Sequence, residues 1–221
     1  MEDLPYEILL MVIESCNFLT KIRLSCINKF FYENVQIHDL MNISKKYLFE
    51  LNDQILKQKK FKNLKRLDAR RDYDINQNGI DGLNLIELNV QDNEKIYNVT
   101  FMKNLKILNA SNDCGIDQNG IQGLDLIELK MSNNVKIKNI SFMKNLKILY
   151  VNGLKNIIDQ QNIELFDLIE LHASHNKHIT NISFMKNLKI LDASGNWQIR
   201  FYQKTVLANN KEPLSARYMW D

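Results

Sequence analysis

Three histidines, His172, His175 and His178, recur at a spacing of three and are the densest run of metal-capable side chains in the 221 residues. A zinc site needs its ligands to converge on one point. The string Leu171-His172-Ala173 reads as part of a strand, which sends His172 to the open face, while His175 and His178 follow along the turn beyond. Their directions diverge, and no metal is expected. Glu87, Glu128 and Glu170 recur at one position of a repeated string. If that string stacks as adjacent strands, the three carboxylates lie two strands apart, at about 9 to 10 Å. Paired-acid catalysis needs closer groups in unequal environments, so a solvated stripe or part of a binding face fits better. Cys16, Cys26 and Cys114 are odd in number and lack the paired spacing of a disulfide framework or zinc site, as buried or idle thiols in a reducing compartment would. Cys114 has no basic neighbour at matching repeat positions to lower its pKa. There is no glycine-rich phosphate loop and no nucleophile motif. The chemistry on offer is that of binding, with no catalytic residue and no cofactor expected.

The elements that carry these residues come from an internal repeat. Asn-Leu-Lys-x-Leu begins at Asn63, Asn104, Asn145 and Asn187, and Leu-Ile-Glu-Leu begins between these copies at Leu85, Leu126 and Leu168. Both fit one template, Leu-x-x-Leu-x-(apolar)-x-x-(Asn/Asp). Its first leucines, Leu64, Leu85, Leu105, Leu126, Leu146, Leu168 and Leu188, are 20 to 22 residues apart. The second leucines are Leu67, Leu88, Leu108, Leu129, Leu149, Leu171 and Leu191. Alternate side chains on one face of a short strand can be buried only against the next copy, so seven stacked units give a parallel sheet over a continuous core. Asp72, Asn93, Asp113, Asn134, Asn176 and Asn196 fill the ninth position, where a short polar side chain can satisfy the bent backbone. Leu154 breaks that column in the unit with the 22-residue step, and an irregular turn is expected there.

Return segments alternate. Asn78-Gly79-Ile80 and Asn119-Gly120-Ile121 suggest a bend in which glycine supplies φ > 0, and the spacing of Ile96 and Val99, Ile137 and Ile140, and Ile179 and Ile182 suits one turn of 3₁₀ helix. These residues resemble the leucine-rich-repeat family in its short class, over about residues 61 to 200. The resemblance implies an α/β repeat fold, a solenoid with its parallel β-sheet on the concave face and 3₁₀ turns and loops on the convex side.

Residues 1 to 36 do not share the repeat. Pro5 suits the first turn of a helix bearing Ile8, Leu9, Val12 and Ile13; Thr20 can cap a second with Ile22, Leu24 and Ile27; Asn28 can cap a third with Phe30, Phe31 and Val35. So short a unit buries itself poorly, which leaves apolar surface for a partner or for the rest of the chain. Leu4-Pro5-x-Glu7-Ile8-Leu9, then Ile13, Leu19, Leu24, Ile27 and Phe30-Phe31, resemble the F-box, with a compressed link from Glu14 to Leu19. The resemblance implies an N-terminal three-helix module that docks onto the Skp-type adaptor of a cullin-RING ubiquitin ligase. The adaptor-binding residues would be Leu4, Pro5, Ile8, Leu9, Ile13, Leu19, Leu24, Ile27, Phe30 and Phe31. The alternative is that these helices only cap the open end of the solenoid. Residues 37 to 60, with Leu40, Tyr47, Leu48, Leu51 and Ile55, read as a connector helix, and 201 to 221 as a C-terminal cap.

Strand alternation assigns a target-binding face. Its two outward columns are Arg66, Glu87, Ile107, Glu128, Ile148, Glu170, Ile190 and Asp68, Asn89, Asn109, Lys130, Tyr150, His172, Asp192. Ile107, Ile148, Ile190 and Tyr150 would form an apolar patch framed by charge, with Tyr150 as the foremost anchor. A net charge of +3 with interspersed signs speaks against nucleic acid as a partner. The longest apolar stretch, Ile8 to Ile13, is far short of the roughly 20 residues of a membrane span. With acidic residues at the start in place of a secretory signal, a cytoplasmic, non-enzymatic substrate adaptor is expected, or, failing adaptor docking, a repeat scaffold. A repeat-bearing ligase with its own catalytic cysteine would need a further domain. The abundance of Asn, Ile and Lys suits an AT-rich genome, and the chain looks similar to F-box and repeat proteins of large DNA viruses of protists.

Overall fold

Among the described residues, eight short strands lie side by side in one parallel sheet, in chain order, each neighbour reached by one turn of chain. The structure is a computed structural model that describes residues 5–41, 43, 51–71 and 74–199. The strands are β1 (Asp39–Leu40), β2 (Arg66–Asp68), β3 (Glu87–Asn89), β4 (Ile107–Asn109), β5 (Glu128–Lys130), β6 (Ile148–Tyr150), β7 (Glu170–His172) and β8 (Ile190–Asp192). Leu67, Leu88, Leu108, Leu129, Leu149, Leu171 and Leu191 are paired strand to strand as one column, all buried. Each unit thus hides its leucine face against the next, and the chain is a repeat solenoid.

The connector differs from the sequence expectation. Leu40 lies not on a helix but on β1, opposite Leu67, where it extends the leucine column and covers the edge of β2. Ile37 donates its N–H to Lys60 O (2.8 Å) to hold this start. Among the described residues of the connector, Asp53–Leu56 is helical, followed by a 3₁₀ turn at Lys59–Phe61. Tyr47 and Leu48 lie outside the described residues, as do Leu4, Asp72 and the segment 201–221.

The return segments also reverse the expectation. The helical turns, Gln77–Ile80, Asn119–Ile121 and Gln160–Ile163, sit in the glycine- and asparagine-bearing stretches. The segments from Ile96 to Val99, Ile137 to Ile140 and Ile179 to Ile182 have no helix. Apolar spacing of three fits a 3₁₀ turn and a threefold extended chain equally well. A glutamine decides between them. Gln77 accepts from Tyr97 N (3.1 Å) and Asn98 N (3.0 Å) and donates to Asn98 O (2.9 Å), so the neighbouring backbone bonds outward rather than to itself. Gln118 and Gln160 repeat this on Lys138 and Asn139 and on Thr180 and Asn181. Gly79 and Gly120 are needed for close approach rather than for positive φ: a Cβ on Gly120 would strike Tyr97 O, and one on Gly79 would strike the Asp53 carboxylate. Positive φ falls instead on Gly82 and Gly123.

Inside the turns runs an asparagine ladder. Asn93 Nδ2 donates to Ala69 O (2.7 Å) and Ile75 O (3.0 Å) while its Oδ1 accepts from Lys95 N (2.9 Å). Asn134, Asn176 and Asn196 do the same work, each buried. Two units depart from the expected column. Asp113 faces solvent and the thiol of Cys114 takes the inner place, 3.1 Å from Ala110 O. Leu154 is exposed and Asn156, two residues on, supplies the ladder through Met131 O (2.8 Å), which explains the longer step.

Ahead of the solenoid stand α1 (Tyr6–Ser15), α2 (Phe18–Ser25) and α3 (Lys29–Asn34). Asn28 caps α3 through Phe31 N (3.1 Å), as expected. The cap of α2 is Asn17, accepting from Thr20 N (3.0 Å); Thr20 is inside the helix. Phe18 and Ile22 pack on the solenoid core, and Val35 is fully buried as the chain enters it. Among the described residues no helix is long and apolar enough to cross a membrane.

Candidate binding face on the parallel sheet

The pairing fixes both outward columns. Arg66, Glu87, Ile107, Glu128, Ile148, Glu170 and Ile190 are neighbours in that order, and Asp68, Asn89, Asn109, Lys130, Tyr150, His172 and Asp192 form the second column. Asp39 on β1 extends the first. Most of these side chains are half-buried, because strands about 4.8 Å apart crowd their side chains against one another. Ile190 is exposed, whereas Ile107 and Ile148 sit partly covered between glutamates.

One expected contact residue is corrected. Asp68 is only 2% exposed. Arg70 lies over it, with Nη2 at 2.7 Å and Nε at 2.9 Å from its carboxylate, so the aspartate serves an internal ion pair. Arg66 is likewise committed, bridging Asp39 and Glu87 at 2.6 Å each.

The C-terminal half holds the most organised cluster. The Tyr150 and His172 rings stack with centroids 4.1 Å apart and 4° between planes. Lys130 Nζ lies 5.0 Å from the Tyr150 ring centroid and 3.0 Å from Glu128. Glu170 Oε1 accepts the Tyr150 hydroxyl at 2.6 Å and faces His172 Nε2 at 2.7 Å. The other His172 nitrogen is 3.8 Å from Asp192. Burial and the Glu170 carboxylate push the Tyr150 phenol well above its ordinary range. Burial alone would raise Glu170, but the Tyr150 hydroxyl, His172 and Lys130 outweigh it and hold the carboxyl low. Asp192 is also held low, where the nearby Ser174 hydroxyl, the hydrogen bonds from the Ser194 N–H and hydroxyl and the proximity of His172 overcome burial. Charge at this spot is therefore negative, fixed and hydrogen-bonded.

His175 and His178 stand exposed on the turn after β7, away from this cluster. Among the described residues no group of three or more His, Cys, Asp or Glu side chains gathers as a metal site would. Burial pushes the Cys114 thiol up to about 11. Asn98, Asn139 and Asn181 begin Asn-x-Ser/Thr strings for a local reason: Asn98 Oδ1 accepts both the N–H (3.0 Å) and the hydroxyl (2.7 Å) of Thr100, and Asn139 does so for Ser141. Asn181 accepts from Ser183 N.

A second surface lies on the helices. Pro5, Ile8, Leu19 and Ile27 are exposed, while Leu9, Leu24, Phe30 and Phe31 are half-covered. Ile13 is 1% exposed, so it braces the module and cannot itself touch a partner. Tyr6, Met11 and Val12 add to the exposed surface of α1, and Met11, at 68%, is its most exposed large apolar residue. The sequence signal for Met11 was lost because it falls off the helical spacing that marks the buried side. Tyr6 packs edge-on against Phe30, with centroids 5.8 Å apart, and Phe30 against Phe31. No family model matches the chain, and no curated protein matches it.

Proposed function

We propose that the chain is a non-catalytic adaptor whose N-terminal helices dock onto a Skp-type component of a ubiquitin ligase while the open face of the repeat sheet holds a protein target. The observation that carries this reading is the two-sidedness of the helical module. Its inner side, through Ile13, Phe18, Ile22 and Val35, is spent on packing, and Tyr6, Ile8, Met11, Val12 and Ile27 stay in solvent. Scattered apolar residues need no explanation, but a group of this size on one small module suits a partner. Purified full-length chain with a eukaryotic Skp-type adaptor tests it. Capture at micromolar concentration that is lost on Ile8→Asp with Met11→Asp supports docking, and failure of wild type to bind leaves the competing reading, a plain repeat scaffold with a helical cap. That reading draws on the same packing, since α3 runs directly into β1 and the sheet edge it covers.

A further inference from the structure

The sheet's open face has a sign and a spacing, and both bear on what it can hold. Six carboxylates, Asp39, Asp68, Glu87, Glu128, Glu170 and Asp192, stand on or beside its columns against three cations, Arg66, Arg70 and Lys130, in a chain whose net charge is +3. The cations are already committed. Arg66 takes Asp39 and Glu87, Arg70 takes Asp68, and Lys130 takes Glu128. Lys106 and Lys147, which precede Ile107 and Ile148, turn away and donate to the backbone carbonyls of Asp125 and Asp167. Among the described residues, the ion pairs of Glu170 and Asp192 on β7 and β8 run to His172 alone, so two carboxylates there share one imidazole.

Spacing then selects the backbone of the ligand. Ile148 and Ile190 are two strands apart, and so are Glu128 and Glu170, which interleave with them. Two strands correspond to about 9.6 Å. A threefold extended chain advances about 9.3 Å in three residues and returns the same face to the sheet. An α-helix covers about 5.4 Å per turn and brings no whole number of turns to that distance.

We propose that the face over β6, β7 and β8 takes an extended, positively charged segment of the target, lying across the strands and offering one aliphatic and one cationic residue in every three. This rests on the reading of the open face as the target site. One cation of the segment meets Glu170, with Asp192 beside it on the next strand, and its aliphatic side chains meet Ile148 and Ile190, two strands apart, with Tyr150 between them.

The test is fluorescence anisotropy on the full chain with a labelled peptide of five Lys-Leu-Pro triplets. Comparators are five Glu-Leu-Pro triplets and a Lys-Leu-Pro-Ser peptide of four-residue period. The lysine triplets should bind at micromolar concentration in low salt and weaken at least tenfold in Glu170→Gln with Asp192→Asn, and the glutamate peptide should not bind. Because both carboxylates also stabilise the fold, binding by the double variant is read well below its own melting temperature, and Ile190→Ser, which removes no ion pair, should weaken binding several-fold. The inference is overturned if the lysine triplets do not bind, if the glutamate or four-residue peptide binds as tightly, or if the double variant changes nothing. Adaptor capture is scored separately, and a co-purifying target indifferent to Tyr150→Ala would sink the open-face reading itself rather than the charge of its ligand.

Discussion

The Tyr150 hydroxyl donates to Glu170 at 2.6 Å while the Tyr150 ring lies flat on His172, which faces the same carboxylate at 2.7 Å. One carboxylate on β7 thus ties together side chains from two strands. Phenol and carboxylate shift apart for the same reason, since the shared proton stabilises the neutral phenol and the ionised acid. In an ultraviolet titration, Tyr150 should stay un-ionised beyond the pH at which exposed tyrosines ionise. Tyr150→Phe should raise the Glu170 carboxyl toward its ordinary range, followed by carboxyl NMR; an unmoved Glu170 would show that the bond is not made.

Leu129 is fully buried in the middle of the leucine column, and Leu154 is 66% exposed on a turn. Leu129→Ala should cost about 2 to 5 kcal/mol, with hydrogen-exchange protection falling in the neighbouring units as well. Leu154→Ala should stay within about 0.5 kcal/mol of wild type. Chemical denaturation of the pair checks the register directly, and a loss below about 1 kcal/mol at Leu129 would refute it.

Gln118 makes three hydrogen bonds to the backbone of Lys138 and Asn139. Removing it leaves two N–H groups and a carbonyl at the surface of the turn to water. Gln118→Ala should destabilise by about 0.5 to 1.5 kcal/mol, more than Gln122→Ala on the same turn, by thermal denaturation.

Cys114 is buried beside Ala110 O and Asn134 Nδ2. An acid whose pKa is raised on folding, here from 9.0 to about 11, stabilises fully below the unfolded value and loses that contribution as pH rises through the folded one. Stability should therefore fall by roughly 2 to 3 kcal/mol between about pH 9 and 11 from this group. Cys114→Ala in a background lacking Cys16 and Cys26 should flatten that slope. The native thiol should also react slowly with a disulfide reagent at pH 8, and fast modification would contradict its burial.

Glu170 and Asp192 carry the opposite linkage. Both carboxyls are held low in the fold, so what they contribute is present above their unfolded pKa and lost as pH falls through the folded one. Asp192→Asn should make the acid limb of the stability curve shallower, and an identical limb would argue against the Ser194 and His172 contacts.

Periodic residues were readable without coordinates because strand pairing repeats identical geometry every 20 to 22 residues: the leucine column, both outward columns and the Asn28 cap follow from side-chain alternation and local hydrogen bonding alone. What depended on a second segment was not readable. Whether Ile96 and Val99 belong to a helix rested on Gln77, about 20 residues earlier; whether Asp113 or Cys114 turns inward rested on the space beside Ala110 and Asn134; whether Leu40 is helix or strand rested on the bare edge of β2. Asp68 was assigned outward by alternation and Ile13 to a partner by the F-box resemblance, yet Arg70 covers the one and the helical module closes around the other. Alternation states which side a residue leaves from, and only the packed neighbours state whether water can still reach it.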